Sequence, residues 1–318
     1  MTSPLFECVP NFSEGRDLDS ISALESALAS VPGIAMLDRT SDWDHHRTVI
    51  TFAGSAEAVL EAAVRASRQA AASIDLNQHV GIHPRLGALD VLPFIPLEGV
   101  TLEDCAALAH RAGKRIWEEI GVPVYFYGAA ALRPERSLLE NVRRGQFERL
   151  RQAGLSDVTK APDVGGPTLH PTAGAVIAGA RKILVAFNVN LASQSIDVAK
   201  AIAKRIRSSN GGFPYVKALG LRLESRDLIQ VSMNLTDFEV TPLDTVYSEV
   251  ERLAAEYGVE IAESELIGLL PEKAVQRDFT RRFKLPESSR DKTIEERLGR
   301  AALQRTASPP LLEGAESK

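Results

Sequence analysis

Twice along this chain the hydrophobic spacing runs in the order strand, helix, strand, strand, helix, strand. In the first round, residues 5–9 form an apolar run closed by Pro10, followed by a loop at 11–17. Ile21, Leu24, Ala27 and Leu28 then recur at helical spacing over 20–29, and Pro32-Gly33 ends that run. Strands are predicted at 34–38 and 48–52, joined by the polar turn Ser41-Asp42-Trp43-Asp44. Ser55 can cap a helix whose buried face is Val59, Leu60, Ala63, Val64, Ser67, Ala71 and Ile74. A strand at 89–95, a helix at 102–120 capped by Thr101 and a strand at 122–127 complete the round. The second round has strands at 183–191, 216–223, 228–235 and 259–267, with helices at 195–207 and 242–257. This is the split βαβ order of a ferredoxin-like unit. The fold class predicted is α/β (α+β), two ferredoxin-like βαββαβ subdomains forming a cleft. The first occupies 1–180 and the second 181–285, with 128–181 joining the two series. A polar tail follows at 286–318, with a short helix at 294–303 and disorder from 305. The repetition is one of element order, not of residues.

Two strands of the second round carry polar residues in phase. In VAFNVNL (185–191), Phe187, Val189 and Leu191 share one face, and Asn188 and Asn190 point the other way. In VSMNL (231–235), Ser232 and Asn234 oppose Val231, Met233 and Leu235. Helices cover one face of a ferredoxin-like sheet, so these four residues line either a hydrogen-bonding groove or a plain solvent face. Asparagine is a poor strand former, which gives the groove its interest.

The densest chemistry lies in DLNQHVGIHPRLGALD, residues 75–90. Pro84 disfavours the α region for His83, which should therefore sit in extended or turn geometry beside Arg85. A loop of fixed shape carrying an imidazole next to a guanidinium suits acid/base work on an anionic substrate. His79 and His83 have the spacing of a helical zinc pair, but Gly81 and Pro84 oppose a helix there and no third ligand stands at a recognisable spacing. No metal is expected. His45-His46 reads as a polar turn from which His46 could reach a site.

Composition removes several classes. The net charge of −5, from 37 basic and 42 acidic side chains, argues against a general nucleic-acid binder. Two cysteines are no disulfide framework, and no apolar run reaches the ~18 residues that span a bilayer. The N-terminus lacks the pattern of a signal peptide, so a cytoplasmic protein is expected. Neither a GxGxxG nor a P-loop pattern is present.

Several segments, in order, resemble the formiminotransferase domain of the glutamate formimidoyltransferase family. They are ECVPNFSEG (7–15), RTVITFAGS (47–55), HPRLGALDVLPFIP (83–96), VPVYFYG (122–128), HPTAGAVIAGARKILVAFNVNL (170–191), QVSMNLTDF (230–238) and SELIGLLP (264–271). The resemblance runs from about residue 7 to 270. It implies transfer of a formimino group from N-formimino-L-glutamate to N5 of tetrahydrofolate, in histidine degradation, by a homodimer. It makes His83 the catalytic histidine. It also makes Gly165, Gly166, Pro167, Thr168, Leu169, His170, Pro171, Thr172, Ala173 and Gly174 the folate-binding stretch. Glycines there would let backbone amides approach a flat pterin, although a plain linker has the same composition. Tetrahydrofolate is then a co-substrate.

The chain also departs from the animal enzymes. Ala173 stands where they have tryptophan, and Thr40 where they have a second aspartate. The helical cyclodeaminase domain is not expected, so a separate cyclodeaminase would close the ring. Both ligands carry carboxylates, and arginine binds these bidentately. Arg47 and Arg85, with Arg181 third, are the candidates, together with Asn188, Asn190, Ser232 and Asn234. Two rivals stay open: glutamate N-formyl exchange with a formylfolate, and a non-catalytic folate carrier.

Overall fold

The computed structural model describes residues 4–307. The first subdomain contains strands β1 (Leu5–Cys8), β2 (Asn11–Phe12), β3 (Ala35–Asp42), β4 (Arg47–Gly54) and β5 (Leu89–Glu98). Helix α1 (Leu18–Ala29) follows β2, and α2 (Ala56–Ser73) follows β4. Helix α3 (Leu102–Ile120) leads to β6 (Val124–Gly128). Ser55 caps α2 through the Ala58 amide, and Thr101 with Asp104 closes a capping box on α3. The pairings β5–β1, β1–β4 and β4–β3 are all antiparallel, which is the ferredoxin-like order.

The structure adds two strands. The segment at 11–17 begins with β2, which bridges β4 and β5 through Asn11 and Phe12. The joining segment contains short helices α4 (Leu139–Val142), α5 (Gln146–Leu150) and α6 (Ala153–Ser156), then β7 (Val176–Ala180). β7 lies parallel between β5 and β6 and extends the first sheet to seven strands. Its sequence, VIAGA, is rich in residues that avoid strands, and all five are buried, so it carries no alternation to read.

The second subdomain runs β8 (Val185–Leu191), α7 (Ile196–Ile206), β9 (Val216–Leu223), β10 (Leu228–Leu235), α8 (Leu243–Glu256) and β11 (Ile261–Ile267). Its four strands are ordered β11-β8-β10-β9, again ferredoxin-like and antiparallel throughout. Phe187, Tyr247 and Phe283 meet edge to face beneath this sheet, with ring centroids 5.1–6.2 Å apart. Tight packing of α7 on β9 needs Gly220, because a β-carbon there would lie 2.4 Å from the Lys200 amide nitrogen.

After α9 (Phe279–Arg282) the chain returns to the first subdomain as α10 (Ile294–Ala307). Residues 305–307 are therefore helical rather than disordered, and 308–318 lie outside the described residues. Ile294 packs with Leu37, Ala53 and Leu269. Lys292 and Arg297 approach Asp38 at 3.6 and 4.0 Å. The segment predicted as a tail thus clamps the first sheet to the second subdomain. No helix among the described residues is long and apolar enough to cross a membrane.

Gly220→Ala should lower unfolding stability by about 2–3 kcal/mol, since the added methyl meets backbone rather than a side chain that can swing away. Equilibrium denaturation with urea checks this.

Candidate functional site

Each sheet has one face covered by its own helices, and the two remaining faces confront one another. Between them lies a cavity of about 370 Å³. Alternation along the strands decides what it shows. On β4, Arg47, Val49 and Thr51 face it, while Ile50 and Phe52 are buried with the helices. From the second sheet come Asn188, Ser232 and Asn234. The in-phase polar residues therefore face a groove rather than bulk solvent.

At one corner stands His83. Its Nδ1 lies 2.9 Å from Arg47 Nη1 and 2.8 Å from the Pro84 carbonyl oxygen. Each neutral tautomer makes one of these two bonds: with the proton on Nδ1 the Pro84 carbonyl accepts and Nε2 keeps a lone pair, and with the proton on Nε2 Arg47 donates to Nδ1; no described residue bonds Nε2. Burial holds His83 well below the usual histidine range, and the charges of Arg47 and Arg143 and the ring of His45 depress it further. The imidazole is neutral at neutral pH.

Asp90 holds this corner in place. Its fully buried carboxylate accepts from Arg47 Nη1 at 3.1 Å, from Arg143 Nη2 at 2.8 Å and from the Leu86 amide at 2.7 Å. Arg47 also donates to Asn11 Oδ1 from Nε (3.1 Å) and Nη2 (2.6 Å). Burial draws Arg47 down to about 10, against the support of Asp90, so it stays charged. Two guanidiniums on one carboxylate leave a net positive corner.

The second subdomain reaches this corner by one polar chain. His45 Nε2 lies 3.0 Å from Gln230 Oε1, and Gln230 Nε2 donates to Asn190 Oδ1 at 2.9 Å. Asn190 Nδ2 donates to Glu265 Oε1 at 3.0 Å. Asn190 is fully buried in this network and does not line the cavity. Asn188 does, and it also donates to Glu265.

Arg85 faces away. Its guanidinium pairs with Glu148 at 2.7 and 3.0 Å and donates to His79 Nδ1 at 3.0 Å and the Leu76 carbonyl at 3.1 Å. It ties the loop together from behind, because the turn at Pro84 sends His83 and Arg85 in different directions. Arg181 lines the cavity. None of residues 165–174 does. Gly174 bridges to Gly87, and the Thr172 and Ala173 carbonyls accept from Leu76 and Ala88. Residues 172–174 lie behind the His83 loop, where the bridge requires Gly174 to sit against the Leu86 carbonyl, whereas Gly165 lies against the Trp117 ring of α3. His46 reaches Glu14 and stacks on His79 with centroids 4.2 Å apart, so His45, not His46, faces the cavity. Among the described residues no three His, Cys, Asp or Glu side chains are placed to hold a metal. Both cysteines are free and buried.

Sequence reasoning missed Asp90, Arg143, Asn11 and His45. Asp90 and Asn11 had a signal, being acidic or amide residues interrupting apolar strands. Arg143 had none, since its segment has no period.

Comparison with known proteins bears on this site. The description "Formiminotransferase domain, N-terminal subdomain" matches residues 5–181, and "Formiminotransferase domain" matches 186–306. A relative named glutamate formimidoyltransferase from Streptococcus pyogenes serotype M1 is 44% identical over 271 residues, 85% of this chain and 90% of its own. One of the same name from Thermoplasma acidophilum is 45% identical over 273 residues, 85% of this chain and 89% of its own. The formimidoyltransferase-cyclodeaminase of Rattus norvegicus is 42% identical over 309 residues, which cover 93% of this chain and 57% of that protein. The chain belongs to the formiminotransferase family.

Proposed function

We propose that this protein is a glutamate formimidoyltransferase, moving the formimino group of N-formimino-L-glutamate to N5 of tetrahydrofolate and releasing L-glutamate. One observation carries the reading beyond family membership: a neutral histidine with a free Nε2, on the wall of a cavity between two sheets, beside a net positive corner. With it go a homodimer acting in histidine degradation, which rests on family alone, and a cytoplasmic location, which rests on composition.

The chemistry needs a group that takes a proton and returns it. N5 attacks the formimino carbon, forming a C–N bond, and the C=N π pair moves onto the imino nitrogen. The N5 proton passes to His83 Nε2. The imino-nitrogen pair then re-forms the C=N bond as the bond from that carbon to the glutamate nitrogen breaks, and the leaving nitrogen, keeping that bond's electron pair, takes the proton from His83. A neutral imidazole starts this cycle in the correct state. Arg47 and Arg143 draw a substrate carboxylate to the same corner, because Asp90 neutralises only one of them. Asn188, Ser232 and Asn234 offer hydrogen bonds from the opposite wall.

Three outcomes test this. His83→Ala should lower kcat by about 10²–10⁴-fold and leave the affinity for tetrahydrofolate near that of the parent, read from absorbance of the 5-formimino product. Parent-like turnover would remove His83 from its role. The folded imidazole binds its proton more weakly than a free histidine. The acid limb of kcat/KM for formiminoglutamate, measured at saturating tetrahydrofolate, should therefore fall below pH 6.5, with activity level through the range where an exposed histidine titrates; a limb centred at or above 6.5 contradicts the assignment. Finally, Arg47→Gln should raise KM for formiminoglutamate by about 10–100-fold. Arg85→Gln should leave that KM near the parent value and instead lower stability by about 1–3 kcal/mol, in steady-state kinetics and denaturant melts run side by side.

A further inference from the structure

The end of the cavity remote from His83 holds two polar groups that the protein leaves unsatisfied. Glu7, on β1, lines the cavity and is 4% exposed, yet no described residue bonds its carboxyl group. Thr51, on neighbouring β4, lines it too, and its Oγ1 is buried with no hydrogen-bond partner. A buried carboxyl group without partners is costly to keep. In a ligand cavity, such a group points to a ligand that completes it.

The space between the two ends defines that ligand. Glu7 pairs with Ile95 of β5, and Asn11, which bonds Arg47 beside His83, pairs with Val91. Four residues of strand separate these rows, about 13 Å at 3.3 Å per residue. The wall between them is apolar, with Val9, Val49 and Pro93 on one sheet facing Ile267 and Leu269 from the other side. A flat bicyclic ring fits such a slot, with a hydrogen bond at each end. The 2-amino-4-oxopyrimidine edge of a pterin presents a ring N–H and an exocyclic amine side by side. Two parallel donors match the two oxygens of a carboxylate, as a guanidinium does.

We infer that Glu7, with Thr51 beside it, binds the pyrimidine edge of the folate pterin, placing N5 toward His83. This rests on the proposed function and adds a recognition site at the end of the cavity remote from His83. The charged and titratable groups that act on Glu7 are Arg181, Glu295 from α10 and the adjacent Cys8 thiol, and Tyr127 lines the same cavity. Burial pushes the Glu7 carboxyl group up to about 7, with Arg181 pulling it down and Glu295 adding to the rise. At neutral pH it is about half protonated, and a donor pair selects the ionised form. Binding should therefore release a proton.

The test titrates 5-formyltetrahydrofolate, without glutamate, into parent, Glu7→Gln and Thr51→Val proteins, and repeats the series with an analogue lacking the 2-amino group. The parent should bind the full ligand at least tenfold more tightly than Glu7→Gln does. It should lose a similar factor on the 2-desamino analogue, whereas Glu7→Gln should hardly distinguish the two ligands. Thr51→Val should weaken binding by a few fold. Calorimetry of the parent in two buffers of different ionisation enthalpy should show release of up to about half a proton at pH 7. If Glu7→Gln fails to fold, the parent's discrimination between the two ligands and its proton release still decide. A parent that binds the full ligand but neither distinguishes the analogue nor releases a proton overturns the inference and leaves the folate reading standing. A parent that binds no folate overturns both.

Discussion

The site depends on one carboxylate. Asp90 is fully buried, and it binds two arginines and a loop amide that come from three separate parts of the chain. Arg47 begins β4, Arg143 follows α4, and Leu86 belongs to the loop that carries His83. Without Asp90, two guanidiniums would face each other in a poorly solvated corner, an arrangement worth several kcal/mol of repulsion and lost solvation. With it, the corner keeps one surplus positive charge, His83 stays neutral and the loop has one shape. Stability and chemistry therefore share one group.

The second constraint is geometric. A ferredoxin-like sheet covers one face with its own helices, and two such sheets set face to face enclose a slot whose walls follow the two-residue period of their strands. Helix α10 and the polar chain from His45 through Gln230 to Asn190 hold the two walls together from opposite sides. Polar residues inside the slot are thus of two kinds. Asn190 and Gln230 satisfy one another and join the subdomains. Asn188, Ser232 and Asn234 remain available to a ligand.

Much of this was legible from period alone. Both βαββαβ rounds, the caps at Ser55 and Thr101 and the polar phase of β8 and β10 follow from spacing, because burial on one face forces an alternating pattern. Strand β7 was not legible, since a short parallel strand buried on both faces has no alternation and VIAGA has little intrinsic preference for the extended state. The clamp made by α10 was hidden for a different reason. Its apolar residues are few and its surface is charged, so the sequence resembles a solvated tail until Leu37 and Leu269 supply the surface it packs on. His83 could be singled out from Pro84, but its partner Arg143 could not, because the contact is set by tertiary folding of a segment without a period.

Residues 165–174, which the resemblance would make the folate-binding stretch, do not line the cavity. Its last residues, 172–174, lie against the back of the His83 loop. The Ala88 amide donates to the Ala173 carbonyl, the Ala175 amide to the Leu86 carbonyl, and the Leu76 amide to the Thr172 carbonyl. At Gly174 the backbone has a φ of 68° and comes so close to Leu86 that any side chain would collide with its carbonyl oxygen. Displacing the stretch would move the Leu86 amide off Asp90, and with it the arginines that hold His83. The stretch is thus mechanically coupled to the corner that holds His83.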